Sequence, residues 1–169
     1  MEHFHLKDDG KIPNSRYPLI VHRSVFTGSE AENPENYERL FSKNEWPAAW
    51  RNGVYPYHHY HSTAHEVLGV YSGTVRVKLG GESGIEAEAK PGDVIVIPAG
   101  VGHKRLETSG SLGIVGAYPN GQSPDLCTDD PSLRPGSDRN IQAVQLPKKD
   151  PVLGSEDGIN TLWSSDLHG

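Results

Sequence analysis

Short apolar segments broken by glycine and proline fill the middle of the chain, and this rhythm more than any other feature limits what it can fold into. Seven stretches, 54 to 61, 66 to 72, 74 to 79, 85 to 89, 93 to 98, 102 to 108 and 111 to 118, have the length and alternation of strands. Between them stand the turn signals "SG" (72, 73), "GGESG" (80 to 84), "PGD" (91 to 93), "PAG" (98 to 100) and "TSGS" (108 to 111). Nineteen glycines, thirteen prolines and only 8% aromatic residues point the same way. The expectation is an all-β sandwich or barrel.

The flanks differ from this core. Residues 1 to 49 read as an arm, a β-rich segment "YPLIVHRSVF" (17 to 26) and a helix over 33 to 41. Asn33 is the expected N-cap and Pro34 the first helical residue, with Tyr37, Leu40 and Phe41 on one face. Residues 50 to 118 form the expected barrel core, and residues 119 to 169 a wrapping tail rich in Pro, Asp, Ser and Gly. Within that tail "IQAVQLP" (141 to 147) is a candidate edge strand, and Leu162 and Trp163 are candidates for packing. At 169 residues all three parts are expected to share a single domain.

Composition removes several function classes. A net charge of -6 and a pI near 5.8 leave no basic stripe for nucleic acid. The single cysteine, Cys127, has no disulfide partner and no thiolate neighbours for a metal, so a structural role is expected. The start "MEHFHLKDDG" lacks the pattern of a signal peptide, and no stretch approaches the ~20 apolar residues of a membrane span. The expected compartment is the cytoplasm, and no membrane partner is expected.

The chemistry concentrates in "YPYHHYHSTAHEVLG", residues 55 to 69, which holds four of the nine histidines. On a strand His59 and His61 project to one face, and His58 and Tyr60 to the other. After the short connection "STAH", Glu66 opens the next strand and can pair back beside them. A further imidazole, His103, follows the apolar strand and turn "GDVIVIPAG". Three imidazoles and one carboxylate suit one divalent transition ion: Fe or Mn is favoured, and Ni, Zn, Co and Cu are compatible. The competing reading of histidine pairs is a solvated surface, and it is the one adopted for His3, His5, His22 and His168. His58 and His65 fall out of phase with the ligands and are read as supporting groups.

The spacing resembles a known pattern. Gly53, His59, His61, Glu66 and Gly73 match the first motif of the cupin superfamily, and Gly92, Pro98, Gly100 and His103 match the second. The wider phrases "HHYHSTAHEVLGVYSG" and "GDVIVIPAGVGHK" resemble small single-domain, metal-binding bacterial cupins. That resemblance implies a double-stranded β-helix, or jelly-roll barrel, with His59, His61, Glu66 and His103 as metal ligands. It implies no substrate. Cupins usually carry Asn four positions after the last histidine, where this chain has Glu107. Cupins also commonly pair through sheet edges or exchanged N-terminal strands, which makes a homodimer the expected assembly and 17 to 26 the candidate for exchange.

If 102 to 108 is a regular strand, His103, Arg105 and Glu107 share one face. Arg105 then clamps an anionic substrate and Glu107 is a candidate catalytic acid or base; a bulge after His103 would instead turn Arg105 to solvent. The same parity puts Tyr57 and Tyr55 on the His59 face, Tyr57 as a candidate catalytic phenol and Tyr55 as barrel filling. Trp46, Trp50, Arg51 and Asn52 are assigned either to the cavity mouth or to an interface. The leading functional expectation is a metal-dependent enzyme of dioxygenase type acting on a small oxygenated or anionic molecule. The alternatives are a redox-neutral isomerase or lyase, and a cupin that binds a small molecule or metal without catalysis.

Overall fold

The structure, a computed structural model, describes residues 1 to 163. Its strands are β1 Glu2–Phe4, β2 Leu19–His22, β3 Ala48–Asn52, β4 His59–Tyr60, β5 Glu66–Leu79, β6 Ile85–Ala89, β7 Val94–Ile97, β8 His103–Ala117 and β9 Cys127–Thr128. All pairings among them are antiparallel, in the order β1-β2-β7-β5-β8-β4-β9, with β3 also on β8 and β6 on β5. This is the expected all-β jelly-roll class. The helices are short: α1 Gly28–Ala31, α2 Pro34–Lys43, α3 Gly136–Ala143 and α4 Ile159–Leu162. None is long and apolar enough to cross a membrane.

Two expected turns are not turns. Segments 66 to 72 and 74 to 79 fuse into β5, and 102 to 108 and 111 to 118 fuse into β8, so that one long pair forms the spine of the sheet. Gly73, at φ +69, sits between register shifts in this pair, and a Cβ there would lie 2.8 Å from the Ser111 carbonyl oxygen. A glycine in left-handed geometry inside a long strand marks a bulge that bends the sheet, instead of a chain reversal. The "SG" signal, expected to be a turn, marks curvature within one strand.

The strand expected over 54 to 61 shrinks to His59–Tyr60. Pro56 has no N–H for a ladder, and residues 53 to 58 run irregularly.

Strand β7, "VIVI", is buried on both faces, as a continuous apolar run requires. Ile95 and Ile97 join Leu68, Val70, Val77 and Leu79 in the inner core. Val94 and Val96 turn outward to a second core with Tyr37, Phe41, Trp46 and Trp163. Helix α2 seals that outer layer with the expected cap, Asn33 Oδ1 accepting from the Glu35 N–H at 3.0 Å. Tyr37 and Phe41, one helical turn apart, are fully buried beneath it. Truncating either to alanine would cost about 3–5 kcal/mol.

Two tail and surface expectations need correction. The edge strand expected at 141 to 147 is absent, because residues 136 to 143 form α3, which sets Ser137 and Ile141 one turn apart against the barrel. His22 is not on the surface: it is buried, with Nε2 3.2 Å from Asp150. The tail is firmly bonded as well, through Trp46 Nε1–H to the Lys149 carbonyl at 2.9 Å, Asn44 Nδ2–H to that of Pro151 at 2.8 Å, and Trp163 Nε1–H to that of Pro18 at 2.7 Å. Trp163 is fully buried and stacks on Tyr17, while His168 lies outside the described residues.

Candidate metal centre

Strands β4 and β8 set His59 directly opposite His103, with ring centroids 4.0 Å apart. His61 lies two residues on, facing the same interior, while Tyr60 between them points outward to Ser137 Oγ at 2.9 Å. Glu66 opens β5 opposite Ile97, fully enclosed, with Oε1 3.1 Å from His103 Nε2 and Oε2 3.4 Å from His61 Nε2. One ligand atom from each of His61, Glu66 and His103 lies within 4.8 Å of the others, and His59 flanks this triad through its contact with His103.

The protons of these imidazoles are already committed. His59 Nδ1–H donates to the Tyr57 carbonyl at 2.9 Å, His61 Nδ1–H to that of Asp125 at 2.5 Å, and His103 Nδ1–H to that of Val101 at 3.1 Å. A carbonyl can only accept, so every Nδ1 bears hydrogen and, in the neutral ring, every Nε2 bears a lone pair. Those of His61 and His103 converge with a carboxylate whose Oε1 is buried and lacks a hydrogen-bond partner, and the His59 ring lies against His103 beside them. Acceptors so gathered require a cation between them, either protons on the rings or a metal ion. The donor set therefore fits one borderline divalent ion.

Without an ion the groups push one another apart in acidity. Burial, reinforced by His103, lowers His59 to about 3. Burial opposes a charge on His61 too, but the Glu66 carboxylate and Asp125 outweigh it and hold that imidazole above its ordinary value. Burial would raise Glu66; His103 and His61 reverse this and keep it well below the carboxylate range.

A cavity of about 730 Å³ opens onto these four residues. Arg105 lines it, as do Trp50, Tyr55, Tyr118, Asp125 and Leu126. Glu107 does not face it. Register explains why: Leu79 pairs with His103 and Val77 with Arg105, but the next partner of β8, opposite Arg76, is Glu107. Leu106 is the extra residue of a bulge, so alternation is reset after Arg105 and the Glu107 carboxylate emerges on the outer face, 2.5 Å from Arg76. Tyr57 contributes its backbone carbonyl to His59, while its phenol is 41% exposed and stacks on Tyr55. Tyr55, expected as barrel filling, is 51% exposed because the segment before His59 is not a strand. His58 reaches Glu82 at 2.5 Å, away from the centre, and His65 Nδ1 accepts from the Ala99 N–H at 2.9 Å, bracing the Pro-Ala-Gly turn before His103.

Two residues of the site escaped the sequence reading. Tyr118 is buried against His61, accepts from Trp50 Nε1–H at 2.9 Å, and is kept protonated by burial and by the nearby Glu66 charge. Asp125 accepts from the Ser62 hydroxyl and from the Ser62 N–H at 2.8 Å, tying the tail to the ligand loop. A lone Asp in a polar tail carries no signal of this; Tyr118, at the end of an expected strand, carried a weak one.

A curled antiparallel sheet with three imidazoles and one carboxylate gathered inside it defines the class. The cupin domain model matches residues 51 to 110. The uncharacterized protein YjlB of Bacillus subtilis (strain 168) is 38% identical over 157 residues, 92% of each chain. This chain belongs to the cupin family. Among solved structures, a DUF861-family protein of Thermotoga maritima is 22% identical, with 59% of this chain and 98% of that one covered and a TM-score of 0.37. Procruciferin, the 11S globulin of Brassica napus, is 20% identical over 46% of this chain and 21% of its own, with a TM-score of 0.39.

Proposed function

We propose that this cupin is a metal-dependent enzyme of dioxygenase type acting on a small, anionic, oxygenated molecule. The observation that carries the reading is the orientation of the site: three imidazoles held by backbone carbonyls, with the Nε2 atoms of His61 and His103 turned toward one enclosed carboxylate and His59 packed beside them. His59, His61, Glu66 and His103 would hold one divalent ion, Fe or Mn by preference, and that ion supplies the redox-active centre on which O₂ chemistry depends.

The chain's own groups supply the rest. Arg105 lines the same cavity and offers a planar pair of donors to a substrate carboxylate. Trp50, Tyr118 and Leu126 shed water from the walls. A redox-neutral reading, isomerase or lyase, draws support from Tyr118, a phenol on the cavity wall against His61 that can hydrogen-bond a substrate oxygen there. For assembly and compartment we propose a homodimer in the cytoplasm, β1 being an edge of the sheet that could pair with a second copy, to be checked by light scattering.

Elemental analysis of protein purified without a nickel column, beside Glu66→Ala, tests the function. About one Fe or Mn per chain, lost in the variant and accompanied by O₂ uptake with candidate acids, supports the dioxygenase. Zinc alone favours the redox-neutral enzyme, and absence of metal leaves a binding protein.

A further inference from the structure

Large apolar side chains at the surface are ordinary when scattered and informative when they gather. Among the described residues six are strongly exposed: Met1, Tyr55, Tyr57, Leu126, Leu146 and Leu153. Half of these belong to one place. Tyr55 and Leu126 line the metal cavity, and Tyr57 lies parallel to Tyr55, ring centroids 5.1 Å apart and planes 15° from coplanar. Tyr55 in turn sets its ring edge-to-face with His59 at 5.2 Å, so the aromatic surface runs from the cavity opening to the imidazoles.

The same backbone places the charge. The Arg105 N–H donates to the Tyr55 carbonyl at 2.9 Å, so guanidinium and phenol rise from adjacent, mutually bonded positions. Arg105 forms no salt bridge among the described residues, whereas the nearby Arg76 and Arg51 are both paired with glutamates. An unpaired guanidinium beside an exposed aromatic face, with Leu126 and Trp50 as further walls, matches one ligand chemistry: a flat apolar ring that bears a carboxylate.

We infer that the metal cavity selects an aromatic carboxylate, its ring against Tyr55 and Leu126 and its anion on Arg105, with Tyr57 holding the Tyr55 ring in place from behind. This rests on the reading of the cavity as a substrate site and names the substrate class.

Protein as purified, its metal content known, is titrated with benzoate, cyclohexanecarboxylate, glucuronate and acetate while tryptophan fluorescence is followed. Trp50 lines the cavity, whereas Trp46 and Trp163 are fully buried elsewhere, so Trp50→Phe should abolish the response. Benzoate is expected to bind at least about tenfold more tightly than acetate or glucuronate, with cyclohexanecarboxylate between them. Tyr55→Ala should erase that advantage and leave acetate unchanged, Tyr55→Phe should keep it, and Arg105→Gln should weaken all four acids alike.

Benzoate no tighter than acetate, preference for glucuronate, or an unaffected Tyr55→Ala each overturns the inference. So does a Tyr55→Ala protein that changes its association state but not its benzoate affinity, which would make the aromatic face a contact between copies. Binding is read without turnover: ring selectivity without O₂ uptake sinks the dioxygenase and spares this inference, and O₂ uptake without ring selectivity does the reverse.

Discussion

The His61 ring is held by the backbone carbonyl of Asp125, 2.5 Å from its Nδ1 and 64 positions further along the chain. The Asp125 side chain keeps that carbonyl in place by accepting from Ser62 and Thr63, the residues that follow His61. Ligand loop and tail thus close on each other. Asp125→Ala should lower metal affinity by about 10- to 100-fold while the protein remains folded, and Asp125→Asn should recover part of it. A competition titration against a chromophoric chelator decides this, and an unchanged affinity in Asp125→Ala would refute it.

The two kinds of buried histidine should separate in a pair of assays. His59→Ala and His103→Ala are expected to lose most bound metal. His22→Ala should retain it, yet lose roughly 1–3 kcal/mol of stability by leaving the enclosed Asp150 without its side-chain partner. Metal content and urea unfolding, measured on all three, check both halves.

Acid should act on the same pair. Burial works to raise Asp150, but His22 and the N–H groups of Leu153 and Val152 prevail and hold it below its ordinary value of 3.8. The unfolded chain therefore takes up this proton first as acid is added, so the contribution is whole above the unfolded value and disappears as pH falls through the native one. Asp150→Asn should reduce Tm at neutral pH and flatten the fall of Tm below about pH 4. Parallel curves for variant and parent would rule out the pair as a source of acid sensitivity.

Glu107 offers a test of register. With its carboxylate on the outer face beside Arg76, Glu107→Gln should leave metal content and turnover as they are and change stability by less than about 1 kcal/mol. A large loss of turnover would mean that the bulge at Leu106 is not where β8 resets.

How much of this could be read from the letters alone depended on how local each cause was. The cap at Asn33, the double burial of "VIVI" and the projection of His59 and His61 to one side follow from spacing within a few residues, and all three appear in the fold. Alternation served as far as Arg105 and failed at Glu107, because a bulge depends on how two strands register and leaves no mark at Leu106 itself. Gly73 and Gly110 do mark such places, but a positive φ serves a turn and a bulge equally. Asp125 and the His22–Asp150 pair were beyond reach, since each joins residues that only the finished fold brings together.

That lateness has a consequence for how the centre is made. His59, His61, Glu66 and His103 all leave the ribosome before Asp125, so a nascent chain can carry every ligand and still have His61 free to turn in its socket. On the proposed reading of the centre, full affinity for an ion would therefore wait until the tail has been synthesised and docked against the loop. If the four residues hold an ion as proposed, the choice among competing metals would fall to the completed protein and not to the growing one.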